Sequence, residues 1–170
     1  MGKVLVAGGI STAATATELY DTGTNTWSAG GNITTARFGH SSTLLPNGKV
    51  LIAGGETNTG TAIATAELYD PATNTWSAAG SLASARFSHT TTVIPTGKVV
   101  AVGGRTANSG IAMASAELYD PATNAWTATG SLAIARYQHS GTLLPSGKLL
   151  MVGGWNNTAS QFESSCELYW

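Results

Sequence analysis

A chain of 170 residues with a formal net charge of −1, only a tenth of them charged, offers no basic field to nucleic acid or anionic lipid and carries no acidic tail. A single cysteine, Cys166, excludes an internal disulfide framework and a multi-cysteine metal site. The length would suit one ordinary domain, but the chain repeats itself, and in an array each repeat touches mainly its neighbours, so the repeat is the unit that matters.

The chain opens with Met1-Gly2-Lys3 and an apolar run to Gly8-Gly9, which mimics a short secretory signal. The same eight-residue block returns at Gly48, Gly97 and Gly147, so its first copy is a core strand. Val6 stands where a myristoylation signal needs Ser or Thr. No apolar run approaches bilayer length, so a soluble protein is expected, with no nucleic-acid or membrane partner and with its compartment open. Arg37, Arg86 and Arg136 mark a period of about fifty residues, a range that points to a solenoid or propeller.

Each full repeat divides into four short strands. The first begins at Arg-Phe-x-His and runs through Ser41-Ser42-Thr43-Leu44-Leu45 to Pro46-Asn47-Gly48, where proline followed by glycine makes a tight hairpin turn. The second, Lys49 to Ala53, is nearly all aliphatic, as a strand covered on both faces should be, and Gly54-Gly55 ends it. The third, Ala66 to Tyr69, enters Asp70-Pro71-Ala72-Thr73-Asn74, in which Asp caps the turn, Pro presets a torsion and Asn tolerates the left-handed corner. The fourth carries Thr75-Trp76-Ser77 and leads through Gly80-Ser81-Leu82 to the next arginine. Four antiparallel strands per repeat, with no helical periodicity, predict an all-β array of radially stacked sheets, a β-propeller.

A glycine pair, a tyrosine and a tryptophan seven residues further along recur as Gly8-Gly9, Tyr20 and Trp27, as Gly54-Gly55, Tyr69 and Trp76, and as Gly103-Gly104, Tyr119 and Trp126. This pattern, at this period and over essentially the whole chain, resembles the kelch repeat. The resemblance implies kelch-type four-stranded blades with the Arg-Phe-x-His strand innermost and the tryptophan strand outermost. The fourth copy departs from it: Gly153-Gly154 and Tyr169 are present, but Trp170 follows the tyrosine directly. The expected organisation is a partial blade over 2–36, blades over 37–85 and 86–135, and a second partial blade over 136–170. Such a chain cannot close with four strands in every blade. Open edges and an apolar blade face are normally covered, so the expectation is self-association into a larger ring, or else a piece of a longer propeller.

Most charges keep the repeat register and read as scaffold: Lys3, Lys49, Lys98 and Lys148; Arg37, Arg86 and Arg136; Glu18, Glu67, Glu117 and Glu167; Asp21, Asp70 and Asp120. His40, His89 and His139 share one slot at the start of the axial strand. A channel-facing imidazole suits a metal, but repetition beside the same arginine favours a structural hydrogen bond within each blade. The tyrosines and tryptophans read as wedges between neighbouring sheets. Only Glu56, Arg105 and Glu163 leave the register, all in the segment between the second and third strands, the one segment whose length varies. That face is the expected binding face, with Glu56, Arg105, Trp155, Asn156, Asn157 and Gln161 as candidates and Asn58 and Asn108 alongside. Trp155 has no blade-packing duty in the pattern and reads as a contact anchor or as a cap on the last blade. Cys166, in the slot of Ala66 and Ala116, reads as a small buried hydrophobe. Asn32-Ile33-Thr34 and Asn156-Asn157-Thr158 match the short glycosylation sequon.

Three functions compete on these residues. The first is a non-catalytic binding or scaffold module for a protein or glycan, with no cofactor. The second is an enzyme, since kelch-like blades also resemble the central domain of galactose-oxidase-like copper enzymes. Here the resemblance fails at the chemistry: no paired tyrosine and histidine stand out of register. Neither a G-x-G-x-x-G loop nor a G-x-S-x-G elbow is present. The third is a purely structural, self-assembling propeller segment.

Overall fold

The computed structural model describes residues 2–10, 15–107, 110–157 and 160–169, and among them every regular element is a strand. The first sheet has three strands in the order β1 (Lys3–Ala7), β2 (Thr17–Asp21) and β3 (Thr26–Ala29). The second has four: β4 (Ser41–Leu44), β5 (Val50–Ala53), β6 (Ala66–Asp70) and β7 (Thr75–Ala79). The third repeats it with β8 (Thr90–Val93), β9 (Val99–Val102), β10 (Ala116–Asp120) and β11 (Ala125–Thr129). The fourth begins with β12 (Ser140–Leu143) and β13 (Leu149–Val152). A two-stranded ribbon of β14 (Trp155–Asn156) and β15 (Gln161–Phe162) then intervenes before β16 (Cys166–Tyr169) joins β13.

The register is the same in each repeat. Val50 faces Tyr69 and Tyr69 faces Trp76, just as Val99 faces Tyr119 and Tyr119 faces Trp126. Turn chemistry sets it. Asp70 Oδ1 accepts the Ala72 amide at 2.9 Å, Asn74 sits in the left-handed region at φ 56, and its Oδ1 accepts the Tyr69 hydroxyl at 2.8 Å. Lys49 and Lys98 pair across each hairpin end with Asp70 and Asp120 at 3.1 and 3.0 Å.

The sheets stack with β4, β8 and β12 side by side, so the first strand of each repeat is innermost. These strands begin at Ser41, Thr90 and Ser140 rather than at the arginine. The Arg-Phe-x-His lead-in is bent by its third residue, Gly39, Ser88 or Gln138, which lies at φ 53–60. The core is interfacial. Leu45, Leu51 and Ala53 of one sheet pack on Val99, Ala101 and Tyr119 of the next, and Ile94, Val100 and Val102 pack on Leu149, Met151 and Tyr169 beyond. Each fully buried aliphatic side chain contributes about 1.5–3 kcal/mol, so the blades stabilise one another. The tryptophans join the sheets at the outside, where Trp76 Nε1 donates to Gly31 O at 2.9 Å and Trp126 Nε1 to Gly80 O at 2.8 Å.

Candidate functional site

The variable segments spring from the glycine pairs, and Gly8, Gly54 and Gly103, the first glycines of three pairs, lie beneath the next repeat. A Cβ on Gly103 would stand 2.5 Å from Arg136 O and 2.8 Å from His139 Cε1, at a φ of +66. Gly103→Ala is expected to cost about 2–4 kcal/mol through the left-handed torsion and the backbone clash, read as a lowered midpoint in thermal unfolding.

The repeated arginines clamp the base of each variable loop. Arg86 Nη1 donates to Gly103 O and to Ser115 O, both at 2.9 Å, joining the start of the loop to its end. Its Nη2 reaches Ser115 Oγ at 3.1 Å and Glu117 Oε1 at 2.8 Å, and Glu117 Oε2 accepts the Ala83 amide at 2.6 Å from the incoming connection. Arg37 and Arg136 repeat the arrangement with Glu67 and Glu167. All three guanidiniums are fully buried. These charges hold the loops in place, leaving the loop residues to vary.

The histidines connect blades instead of bracing one. His89 Nε2 bonds Ser41 Oγ of the preceding sheet at 2.9 Å, and His139 Nε2 bonds Thr90 Oγ1 at 3.0 Å. Burial, reinforced by the neighbouring arginine, pushes His89 down to about 3 and His40 and His139 down to about 4, so all three rings are neutral at pH 7. Among the described residues no group of three His, Cys, Asp or Glu side chains could hold a metal ion.

Glu56, Arg105 and Trp155, which read as out of register, occupy one equivalent slot. Each follows a glycine pair and bridges the aromatic residue of its own lead-in: Phe38, Phe87 and Tyr137 respectively. Sequence comparison misses this because three unrelated residue types fill the slot. Trp155 therefore has a packing place, with its ring edge-on to Phe162 at 4.6 Å. The Arg105 guanidinium stacks between the rings of Phe87 and Tyr137, at 4.5 and 4.6 Å, and so links two blades. Glu56, expected on an open face, is fully buried, because the lead-in strand lies over it.

The remaining candidates divide between lacing and exposure. Asn157 Oδ1 accepts the Ala112 amide at 2.6 Å and its Nδ2 donates to Gly110 O, so it laces the fourth loop to the third. A bridge between Thr61 and Ala107 joins the second loop to the third, making the loops one continuous surface. Asn156 is half-buried opposite the exposed Gln161, and Asn58 is exposed. Asn108, and Thr158 of the second sequon, lie outside the described residues. Glu163 Oε2 accepts the Ser165 hydroxyl at 3.3 Å.

Cys166 is exposed, not buried. Its counterparts Ala66 and Ala116 are covered by the following blade, and among the described residues no sheet covers Cys166. Sequence reasoning also passed over the side chains that protrude furthest. Phe162 is 81% exposed, Ile10 76% and Ile111 68%, each on the segment between the second and third strands of its repeat. Their signal was available: apolar residues without a counterpart in the other copies, on the segment of varying length.

Four antiparallel sheets in radial order, with scaffold charges beneath variable loops, define a propeller-type repeat module. The family model described as the KLHDC2/KLHL20/DRC7 Kelch-repeats domain matches residues 1–168, and the chain belongs to this kelch-repeat family. The family is one of protein-binding and scaffold modules, typically without enzymatic activity. No curated protein gives a significant match to the chain.

Proposed function

We propose that the chain is a non-catalytic binding module that engages a protein partner across its loop face. The observation that carries this reading is the location of Phe162, Ile10 and Ile111, the three most exposed large apolar side chains among those described. Apolar side chains held in water on a rigid base are what a partner's core contacts require. Trp155, Gln161 and Asn58 lie on the same loops, and aliphatic anchors such as Ile111 favour a protein surface over a glycan. The test is affinity capture with a photo-crosslinker at position 111, with the captured partner then titrated against the wild type and the double variant Ile111→Asp, Phe162→Asp. Affinity is expected to fall by about tenfold or more while the unfolding midpoint stays in place. Retained affinity would remove the loop face from the proposal.

Self-association is a second reading, and the outer sheets favour it. Val4 and Val6 of β1 are exposed where their counterparts Val99 and Ala101 are buried against the preceding blade, and Val152 and Leu168 are exposed on the fourth sheet. End-on stacking of two copies would bury both faces. Light scattering across a concentration series is expected to show a dimer that Leu168→Lys converts to monomer, whereas a monomer at every concentration would end this reading.

A further inference from the structure

We propose that the partner of the loop face is an uncharged, apolar polypeptide surface that packs around Ile111 over the loops of the second and third sheets. This inference rests on the loop-face reading and adds to it the chemistry of the partner. The two loops span 54–65 and 103–115. Each belongs to a sheet with a described neighbour on both sides, joined by the Trp76–Gly31, Trp126–Gly80 and Thr90–His139 bonds.

Charge on these two sheets is segregated. Within the loops only Glu56 and Arg105 ionise, and the connections 80–85 and 130–135 contain no ionisable side chain. Glu56 is fully buried, and the Arg105 guanidinium is sandwiched between the rings of Phe87 and Tyr137. The arginine–glutamate pairs beneath the loops are buried as well. Lys49–Asp70 and Lys98–Asp120 sit at the hairpin ends, which antiparallel strands place on the opposite face.

What the loops present to water is Ile111, 68% exposed, together with exposed Thr59, Thr61 and Thr106. Ile111 is held from both sides. Asn157 Oδ1 accepts the Ala112 amide at 2.6 Å and Asn157 Nδ2 donates to Gly110 O, so one side-chain amide stands where a neighbouring strand would and fixes the backbone before and after Ile111. Arg105 bridges Ala112 within the loop, and Thr61 bridges Ala107 from the loop before it. An anchor fixed before binding has little freedom left to lose when a partner covers it.

The same surface rejects charge. A carboxylate or ammonium buried against it would lose its water, and the two ionisable groups of the loops are of opposite sign, one buried and one stacked, so neither sign of partner charge finds a field to replace that water. Apolar side chains meet no such penalty and gain by covering Ile111.

Short random peptides displayed on phage are the probe, panned on the full chain and counter-selected on Ile111→Ser, which removes the anchor without adding charge. The expected binders are rich in aliphatic and aromatic residues and close to neutral, and they prefer the wild type by about tenfold or more while the unfolding midpoint of Ile111→Ser stays in place. Their affinity should change by less than about twofold between about 50 mM and about 500 mM salt. Lys98→Ala, on the opposite face, should leave it unaltered. Ile111-dependent binders that carry a net charge and weaken steeply with salt would overturn the neutral-partner assignment and leave the loop face standing. A library that returns no Ile111-dependent binder would remove the loop face together with its partner.

Discussion

Replacing Arg86 by alanine is expected to lower stability by about 3–5 kcal/mol, the range for removing one partner of a buried ion pair. The Arg86–Glu117 pair spans 2.8 Å with the arginine side chain fully buried and the glutamate nearly so. Alanine leaves the Glu117 carboxylate without its cation and also strips the Gly103 and Ser115 carbonyls of their shared donor. An intact fold of this kind stands about 5–15 kcal/mol above its unfolded state, so the loss is a large share of the total. The contrast is Lys98→Ala, which breaks the half-exposed pair with Asp120 and is expected to change stability by about 1 kcal/mol or less. Arg86→Lys keeps the charge but cannot fork to two carbonyls and a carboxylate, so it should fall between the two. Urea unfolding of the three variants checks the order, and equal losses for Arg86→Ala and Lys98→Ala would show that the clamp is not what holds the loop base.

The second large effect is a loss of stability in mild acid. His89 is pushed down to about 3 and His139 to about 4, against an ordinary value of 6.5, because burial disfavours the charged ring and the neighbouring arginine adds to it. A base whose pKa is depressed on folding stabilises the fold fully above its unfolded value. That contribution is lost as the pH falls from 6.5 towards the folded value, because the unfolded chain takes up the proton first. At about pH 5 each of these two buried rings should have forfeited about 2 kcal/mol. Asp70 and Asp120, held below 3.8 by turn amides and lysines, titrate outside this window. The urea midpoint is therefore expected to drop steeply between about pH 6.5 and about pH 4.5. His89→Gln, which keeps a polar atom for Ser41 and removes one titration, should flatten the slope. A midpoint independent of pH over that interval would refute the neutral-ring account.

Most of the fold was legible because its determinants are local and recur. Asp70-Pro71-Ala72-Thr73-Asn74 contains the capping carboxylate and the left-handed asparagine of its own turn. The aliphatic Val50–Ala53 and Val99–Val102 declare themselves as buried strands, and the glycine pairs mark where backbone meets backbone. The candidate site was less legible. Its segment could be found from its varying length, and Trp155, Gln161 and Asn58 do lie there, but the protruding apolar side chains of Phe162, Ile10 and Ile111 were overlooked in favour of polar and charged ones.

The sequence alone therefore determined what a full blade builds within itself: four strands, their turns, their register and the scaffold charges. Only the tertiary structure decided what neighbouring blades do to one another, because a repeat pattern equates residues that meet different surroundings. Ala66 and Ala116 are buried and Cys166 is exposed in the same slot, since among the described residues a sheet covers the first two and not the third. Glu67 binds the arginine of its own lead-in, whereas Glu18 in the same slot is exposed. The His89–Ser41 bond joins residues 48 positions apart, and the burial of Glu56 depends on a bridge to Phe38. Such contacts are made across the space between sheets, and no period along the chain encodes which side of a sheet will be covered.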